Sequence, residues 1–505
     1  MQSRTGILAA TILGSSMAFI DGTVVNVALP ALQANLDATI SDVQWVVEAY
    51  ALILAALMLT GGAMGDRFGR RRVFAIGVAW FAAASIACGL APNLLVLIAA
   101  RALQGIGAAM MVPGSLAIIS ASFPDDARGK AIGTWSAFTS ITMAVGPPLG
   151  GALIDHVSWR AIFFLNVPIA LVVLLLVVRC VPESREGTRR ALDLPGAALA
   201  TAGLAALSFG LIESARLGFA SPVIVGALAG GVALLAFFLV VEKRSRAPML
   251  PLGLFASATF RGANALTLFL YAALAGGLFF LPMLLIEVQG FSATAAGAAT
   301  LPLVVILFVL SRWSGGLVDR IGARVPLVAG PAIAAAGFGL LTVPGADAGY
   351  WSGFFPALAV LGFGLALTVA PLTTTVMSAV DRAHAGIASG INNAVSETAG
   401  VLAVAVLGLV MAHAFGSALD ARMAKADVPR EIRAHMDGQR AKLAAMEIPA
   451  GAGPSTRAAL QGAIAESFVA GFREVMAIAA LLALLSAVWA WFTIPAHRAS
   501  NPEGK

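Results

Sequence analysis

The sequence predicts an all-α integral membrane protein, and three observations carry that prediction. The chain of 505 residues is 59% hydrophobic and only 11% charged, with a mean hydropathy of +0.90, whereas soluble domains carry about 25% charged residues. Apolar runs of about 20 residues recur along the chain, each long enough to cross a bilayer core about 30 Å thick. Fifty-three glycines suit close helix packing in lipid, where small residues let backbones approach.

Fourteen runs qualify as spans, at about 7–32, 43–64, 73–91, 94–122, 130–154, 160–178, 195–213, 222–241, 259–286, 295–317, 326–343, 351–378, 386–411 and 474–494. The first begins almost at Met1, has no small-residue cleavage site and is followed by further spans, so it reads as a retained helix. Orientation follows from Lys and Arg. One set of loops carries Arg67, Arg70, Arg71, Arg72, Arg128, Lys130, Arg179, Arg185, Arg189, Arg190, Lys243, Arg244, Arg246, Arg320, Arg324 and Arg382, while the alternate short loops carry only Arg160 and Arg216. The positive-inside rule places the first set, and both termini, in the cytoplasm. The stretch at about 412–473 holds eight Lys and Arg residues, but a loop of about 60 residues largely escapes that rule. It is expected outside, as short amphipathic helices over the mouth or as a solvated linker. The net charge of +6 is thus a topology signal and gives no reason to expect nucleic acid.

Cys88 and Cys180 fall toward opposite sides of the membrane, which disfavours a disulfide, and no Cys/His cluster has metal-ligand spacing. No phosphate loop with GK[ST] and no HExxH occurs. "GIGAAM" lies inside a span and follows no strand. An enzyme or an ATP-driven pump is therefore not expected, and energy has to come from a gradient.

An internal repeat organises the chain. In "GGAMGDRFGRRR", Gly62, Asp66, Arg67, Gly69 and Arg71 map onto Gly315, Asp319, Arg320, Gly322 and Arg324 with one constant offset. The repeat is displaced by eight spans, as two six-span halves separated by a two-span insert would give. The expected organisation is an N-terminal half at 1–190, an insert at 191–245 and a C-terminal half at 246–505 with the outer loop at about 412–473. Paired halves are a common transporter plan with the substrate site between them.

Five stretches carry a family resemblance: "DGTVVNVALP" from Asp21, "GAMGDRFGRR" from Gly62, "RALQGIGAA" from Arg101, "GPPLGG" from Gly146 and "SWRAIFFLNVP" from Ser158. In this order and spacing the chain resembles the major facilitator superfamily, in its fourteen-span drug:proton antiporter branch. The resemblance implies the major facilitator fold and export of hydrophobic, cationic drugs or toxic compounds in exchange for protons. Short loops and the lack of organelle targeting sequences suggest a bacterial inner membrane, and a monomer is expected whose partners are small-molecule substrates, protons and the bilayer, with no cofactor, metal or nucleic acid. The alternative is a proton-coupled transporter of one specific metabolite or siderophore. Gly62, Asp66, Arg67, Gly69, Arg70, Asp319 and Arg320 would form cytoplasmic gating loops, which the resemblance assigns to holding the outward-facing state. In "GPPLGG", Gly146 and Gly150 share a helix face, Pro147 removes a backbone donor, and with Gly151 they form the exporter hinge that limits leak.

Embedded charges are the sharpest functional signal, because an Asp or Arg at mid-helix costs about 2.5–3.5 kcal/mol on insertion scales and usually faces the protein interior or a water-filled path. Depth arithmetic at about 1.5 Å per residue places Asp21, Glu48 and Arg101 at similar height in the outer half of their spans, which suggests that they meet. Burial disfavours an ionised carboxylate and a guanidinium favours it, so Asp21 is the expected proton carrier with Arg101 tuning it. Arg cannot itself give up the proton. Glu48 is a second proton or cation site. Glu397, in "GINNAVSETAGVLAV" near mid-membrane, is a third, beside Asn392, Asn393 and Ser396. Asp155 is expected to pair with Arg160. Trp45, Phe138, Met143, Phe279 and Asn393 are candidate substrate-pocket liners, with Phe280, Met283 and Phe363 also considered.

Overall fold

The computed structural model describes residues 4–185, 192–245, 247–381, 385–425 and 428–496, without the side chains at 125, 126, 137, 140, 312 and 319. Arg189, Arg190, Arg246, Arg382 and the side chain of Asp319 therefore lie outside the described residues. All regular structure among those residues is helical, and thirteen helices are long and apolar enough to cross a membrane. The shorter helix Arg324–Leu340 completes the fourteen spans expected from the sequence.

The N-terminal spans are α1 (Arg4–Leu36), α2 (Ile40–Phe68), α3 (Arg70–Gly89), α4 (Leu94–Ser122), α5 (Asp125–His156) and α6 (Asn166–Cys180). Local chemistry sets their starts. Thr39 Oγ1 accepts the Asp42 N–H and Asp42 accepts the Thr39 N–H, a capping box that opens α2. Asn93 accepts the Val96 N–H at the head of α4. The insert is the hairpin of α7 (Leu194–Leu217) and α8 (Pro222–Arg244). The C-terminal spans are α9 (Ala258–Phe279), α10 (Leu301–Gly315), α11 (Arg324–Leu340), α12 (Phe355–Ser378), α13 (Ala385–Lys425) and α14 (Pro454–Thr493). Span ten carries a separate outer segment, Ala293–Ala299, ahead of α10.

The two halves repeat each other in detail. In α3 and α4, Gly77 and Gly107 bring the backbones so close that a Cβ on either would lie 3.0 and 2.9 Å from the other's carbonyl oxygen. Gly330 of α11 and Gly364 of α12 do the same at 2.7 Å. The turns into α3 and α11 are made by Gly69 at φ +110° and Gly322 at φ +78°, a region where other L residues are strained. Just beyond them, Arg71 Nη2 donates to Val178 O at 3.1 Å at the end of α6, and Arg324 Nε donates to Trp491 O at 3.0 Å at the end of α14.

The hairpin α7–α8 leans on α2 and α13. Trp45 Nε1 donates to Glu213 Oε1 at 3.2 Å and its ring lies 6.5 Å from that of Phe209. Leu52 packs with Leu204 and Val401.

Helices α13 and α14 run for 41 and 40 residues, about 60 Å each at 1.5 Å per residue and twice the bilayer core. Arg422 bonds Glu466 across them at 3.0 Å. Between them, a 3-10 turn Arg440–Ala445 packs on α1 and α2, with the short helix Arg430–Gly438 against it. Met436 and Leu443 are fully buried there, and Lys442 pairs with Asp37. The stretch at 412–473 is thus a folded cap on continuous helices, and the last helix begins well before residue 474.

Candidate functional site

Four helices of the N-terminal half converge on one buried polar cluster. Asp21 of α1 is 3% exposed and Arg101 of α4 is fully buried, and the two form an ion pair. Gln104 follows Arg101 by three residues, which puts both on one face of α4. Arg101 Nη1 also donates to Gln104 Oε1 at 2.6 Å, and its Nε donates to Val46 O of α2 at 3.0 Å. The guanidinium carbon lies 4.4 Å from the ring centroid of Tyr50 and 5.8 Å from that of Phe163, within cation–π range.

The other oxygen of Asp21 accepts Gln104 Nε2 at 2.8 Å and Asn166 Nδ2, at the head of α6, at 3.1 Å. The same two amides donate to Ser85 Oγ of α3 at 2.8 and 3.1 Å. A buried ion pair is tolerated when its remaining lone pairs and protons find partners, and this one is held by α1, α3, α4 and α6 together. Three donors from two helices thus converge on one carboxylate. Gln104, Asn166 and Ser85 were not singled out in the sequence. Gln104 and Asn166 nevertheless stand inside two of the motif stretches.

Glu48 does not join this cluster. Arg101 touches α2 through Val46 and Tyr50, whereas Glu48 belongs to the stripe Gln44, Glu48, Leu52. Gln44 Nε2 donates to Val404 O of α13 at 2.9 Å, and Leu52 packs on α7 and α13. Glu48 is 1% exposed, and its Oε2 has no hydrogen-bond partner. The expectation that the three charges meet is corrected: height along a helix does not fix direction around it. Glu397, half-buried on α13, makes no hydrogen bond or ion pair to the described residues and lies within electrostatic reach of Tyr50 and Tyr271. Its neighbour Asn392 donates to Asn264 Oδ1 at 3.1 Å and Thr267 Oγ1 at 2.6 Å on α9. Asn393 is exposed.

The "GPPLGG" stretch packs the two halves together. Gly146 and Gly150 face Thr23 and Val24 of α1. Gly151 lies against Ala293 O, and Gly297 lies against Pro147 O, so backbone meets backbone between the halves with no room for a side chain. Asp155 completes the contact, accepting Ala293 N–H at 3.0 Å, Thr294 N–H at 2.8 Å and Thr294 Oγ1 at 2.6 Å. Its expected pairing with Arg160 is not formed; Arg160 Nη2 donates to Ala91 O at 3.0 Å. Toward its N-terminus the same helix loosens. Gly129 and Gly133 face open space, and Phe138, Ile141, Met143 and Val145 are exposed, as are Phe308 and Val309 of α10.

Of the candidate pocket liners, Phe138 and Met143 lie on that exposed stretch. Trp45 instead packs on the insert, and Phe279 is 2% exposed with its ring 5.0 Å from that of Phe280. Phe280 and Met283 are fully buried, and Phe363 is exposed.

In the loop between α2 and α3, Asp66 pairs with Arg70 at 2.7 Å and Arg70 N–H donates to Ser184 O at 2.9 Å. Arg71 N–H donates to Glu183 Oε1 at 3.2 Å, and Glu183 sits where a Cβ on Gly69 would come within 2.6 Å. Gly62 packs on Pro113, Arg67 lies over Phe68, and Arg320 is exposed. The bonds of this loop run within the N-terminal half.

The Major Facilitator Superfamily model matches residues 11–404. The chain belongs to that superfamily and is a multi-pass membrane protein of a family that handles small-molecule substrates. It is 34% identical to the tetracenomycin C resistance and export protein of Streptomyces glaucescens over 96% of this chain and 91% of that one. It is 36% identical to the multidrug resistance protein Stp of Mycobacterium tuberculosis over 98% of this chain and 93% of that one. Among solved structures, a bacterial homologue of the human lysosomal transporter Spinster superposes with a TM-score of 0.68 at 18% identity, covering 97% of this chain and 96% of that one. At that identity the likeness shows the fold.

Proposed function

We propose that the protein is a secondary efflux transporter that exports hydrophobic, cationic drugs or toxic compounds in exchange for protons, and that it performs no catalysis. The carrying observation is the Asp21 carboxylate, buried in an apolar bundle and held by Arg101, Gln104 and Asn166. The relatives, proteins of antibiotic resistance and export, agree with it.

In this reading Asp21 carries the proton, and Arg101 stays charged and sets how tightly the proton is held. Residues 1–190 and 246–505 form the two rocking halves, with 191–245 as the insert. Glu48 and Glu397 are further proton or cation sites, and Asp66, Arg67, Arg70, Asp319 and Arg320 gate the cytoplasmic side. The substrate path runs along the exposed stretch of Phe138 and Met143. The protein sits as a monomer in a bacterial inner membrane with both termini cytoplasmic.

The test is a resistance profile. Overexpression in a sensitive strain should raise tolerance to several unrelated lipophilic cations, and Asp21→Asn should abolish the gain at equal protein level. Tolerance to none of them would point instead to one dedicated substrate.

A further inference from the structure

Among the described residues, two that are not glycine hold a positive φ, Asp37 at +51° and Leu443 at +54°. They lie at opposite ends of the chain and meet at one contact. Asp37 makes the turn between α1 and α2, in the N-terminal half. Leu443 lies in the turn Arg440–Ala445, between α13 and α14 of the C-terminal half. Lys442, beside Leu443, pairs with Asp37, and Gln33 Nε2 of α1 donates to Lys442 O at 3.4 Å. A bulky side chain at positive φ is strained, and an Asp there is strained less. Such strain persists only where the surroundings impose it, and it collects at clamps and switch regions.

The turn is braced firmly on its own half. Arg440 Nη1 donates to Asp420 Oδ2 of α13 at 2.9 Å. Gln439 Oε1 accepts the Glu447 N–H at 2.9 Å, and its Nε2 donates to Glu447 O at 3.2 Å. The turn also packs on α14 and on the segment Leu284–Val288, and Leu443 is fully buried.

Its grip on the N-terminal half is poorer. The bond from Gln33 to Lys442 is long for an N–H···O bond. Gln33 is 3% exposed, yet its Oε1 has no hydrogen-bond partner. Asp37 is 84% exposed, so its ion pair is of the solvated kind that contributes little. At the "GPPLGG" contact, by comparison, Asp155 accepts three bonds of 3.0 Å or less across the halves.

A contact strained on both faces and incompletely bonded on one is suited to being broken and remade. We infer that the turn Arg440–Ala445 is a latch. It holds the α1–α2 turn to the C-terminal half while this end of the bundle is shut, and it lets go when the halves part there, relieving the backbone at Asp37 and Leu443. The strain keeps the latched state from being too deep to leave. This rests on the rocking of two halves proposed above, and it holds whichever compound or ion is carried.

The test uses the full chain in nanodiscs, in a Cys88→Ala, Cys180→Ala background. Spin labels at Leu90→Cys and Val343→Cys, both exposed and just past the ends of α3 and α11, report the gap between the halves without touching the latch residues. The parent is expected to show a short and a long distance. Lys442→Glu should raise the ratio of long to short by up to about fivefold, the reach of a solvated ion pair. Asp37→Asn, which keeps a residue tolerant of positive φ, should move it the same way and less far. Leu443→Ala removes a fully buried side chain and should raise it by about tenfold or more; should it accumulate poorly, Lys442→Glu decides. In cells, Asp37→Cys and Lys442→Cys joined by a reducible bis-thiosulfonate should slow ethidium efflux by about tenfold or more, and reductant should restore it. Distances unchanged in Lys442→Glu and Leu443→Ala, or undiminished efflux with the pair joined, overturn the inference and leave the export reading standing. Distances that shift as expected in a parent that expels no ethidium count against the export reading and leave the latch in place.

Discussion

The two halves are built alike and charged differently. Gly77 with Gly107 and Gly330 with Gly364 make the same close crossing, and Arg71 and Arg324 bond the ends of α6 and α14 in the same way. The buried polar groups do not follow this symmetry. The N-terminal half holds an ion pair, Asp21 with Arg101, wrapped by two amides and a hydroxyl. In the C-terminal half the polar contact between α9 and α13 is neutral, Asn392 with Asn264 and Thr267, and α12, the counterpart of α4, carries no charged residue between Phe355 and Ser378. Duplicated glycines and arginines preserve a shape that can rock. In the proposed reading, that unduplicated ion pair supplies the principal proton-exchanging group, Asp21.

That contrast can be broken most strongly at Arg101. Arg101→Met leaves Asp21 buried without its countercharge and should destabilise the protein by about 3–5 kcal/mol. Asn392→Ala in the other half removes only neutral hydrogen bonds and should cost about 1 kcal/mol. Melting of the purified protein in detergent compares the two, and equal losses would mean that the ion pair is no more than packing.

The seal between the halves offers the next test. Gly297→Leu inserts a side chain against the Pro147 carbonyl and should reduce transport by about tenfold or more, the effect of roughly 1.4 kcal/mol on closure. Gly133→Leu, on the cytoplasmic stretch with nothing within 4 Å, should transport within about twofold of the parent, as open surface substitutions usually do. Uptake of a labelled lipophilic cation into inside-out vesicles measures both. At the symmetric turns, Gly69→Ala and Gly322→Ala should each cost about 1–2 kcal/mol of stability for forcing a side chain into positive φ. A large loss at one and none at the other would show that the two loops share a backbone but not a load.

How much was legible in the sequence follows from what each feature depends on. The fourteen spans were readable because a bilayer demands long apolar runs whatever packs beside them. Asp21 and Arg101 stood out because charge is expensive there, and their pairing was within reach because both lie in the outer half of their helices. Gln104, Ser85 and Asn166 escaped because uncharged polar residues are ordinary in such helices and only their convergence gives them meaning. Glu48 was placed at the right height and the wrong azimuth, since the stripe from Gln44 to Leu52 points to helices more than 150 positions away in the chain, Leu204 on α7 and Val404 on α13. Asp155 was assigned its nearest basic residue, whereas its partners Ala293 and Thr294 lie across the seal. The outer cap was half-readable: the amphipathic pattern was visible, but the continuation of α13 and α14 through it was not, because charged surface helices and solvated linkers share a composition.

The most direct test of the central claim is proton release from inside-out vesicles energised to be acidic inside. A lipophilic cation is added and a pH-sensitive dye is followed, with wild type beside Asp21→Asn at matched protein level. Release in the wild type that vanishes in the variant is the predicted result and assigns Asp21 the proton. Release that persists unchanged in Asp21→Asn would contradict it and make the Asp21–Arg101 cluster a structural clasp.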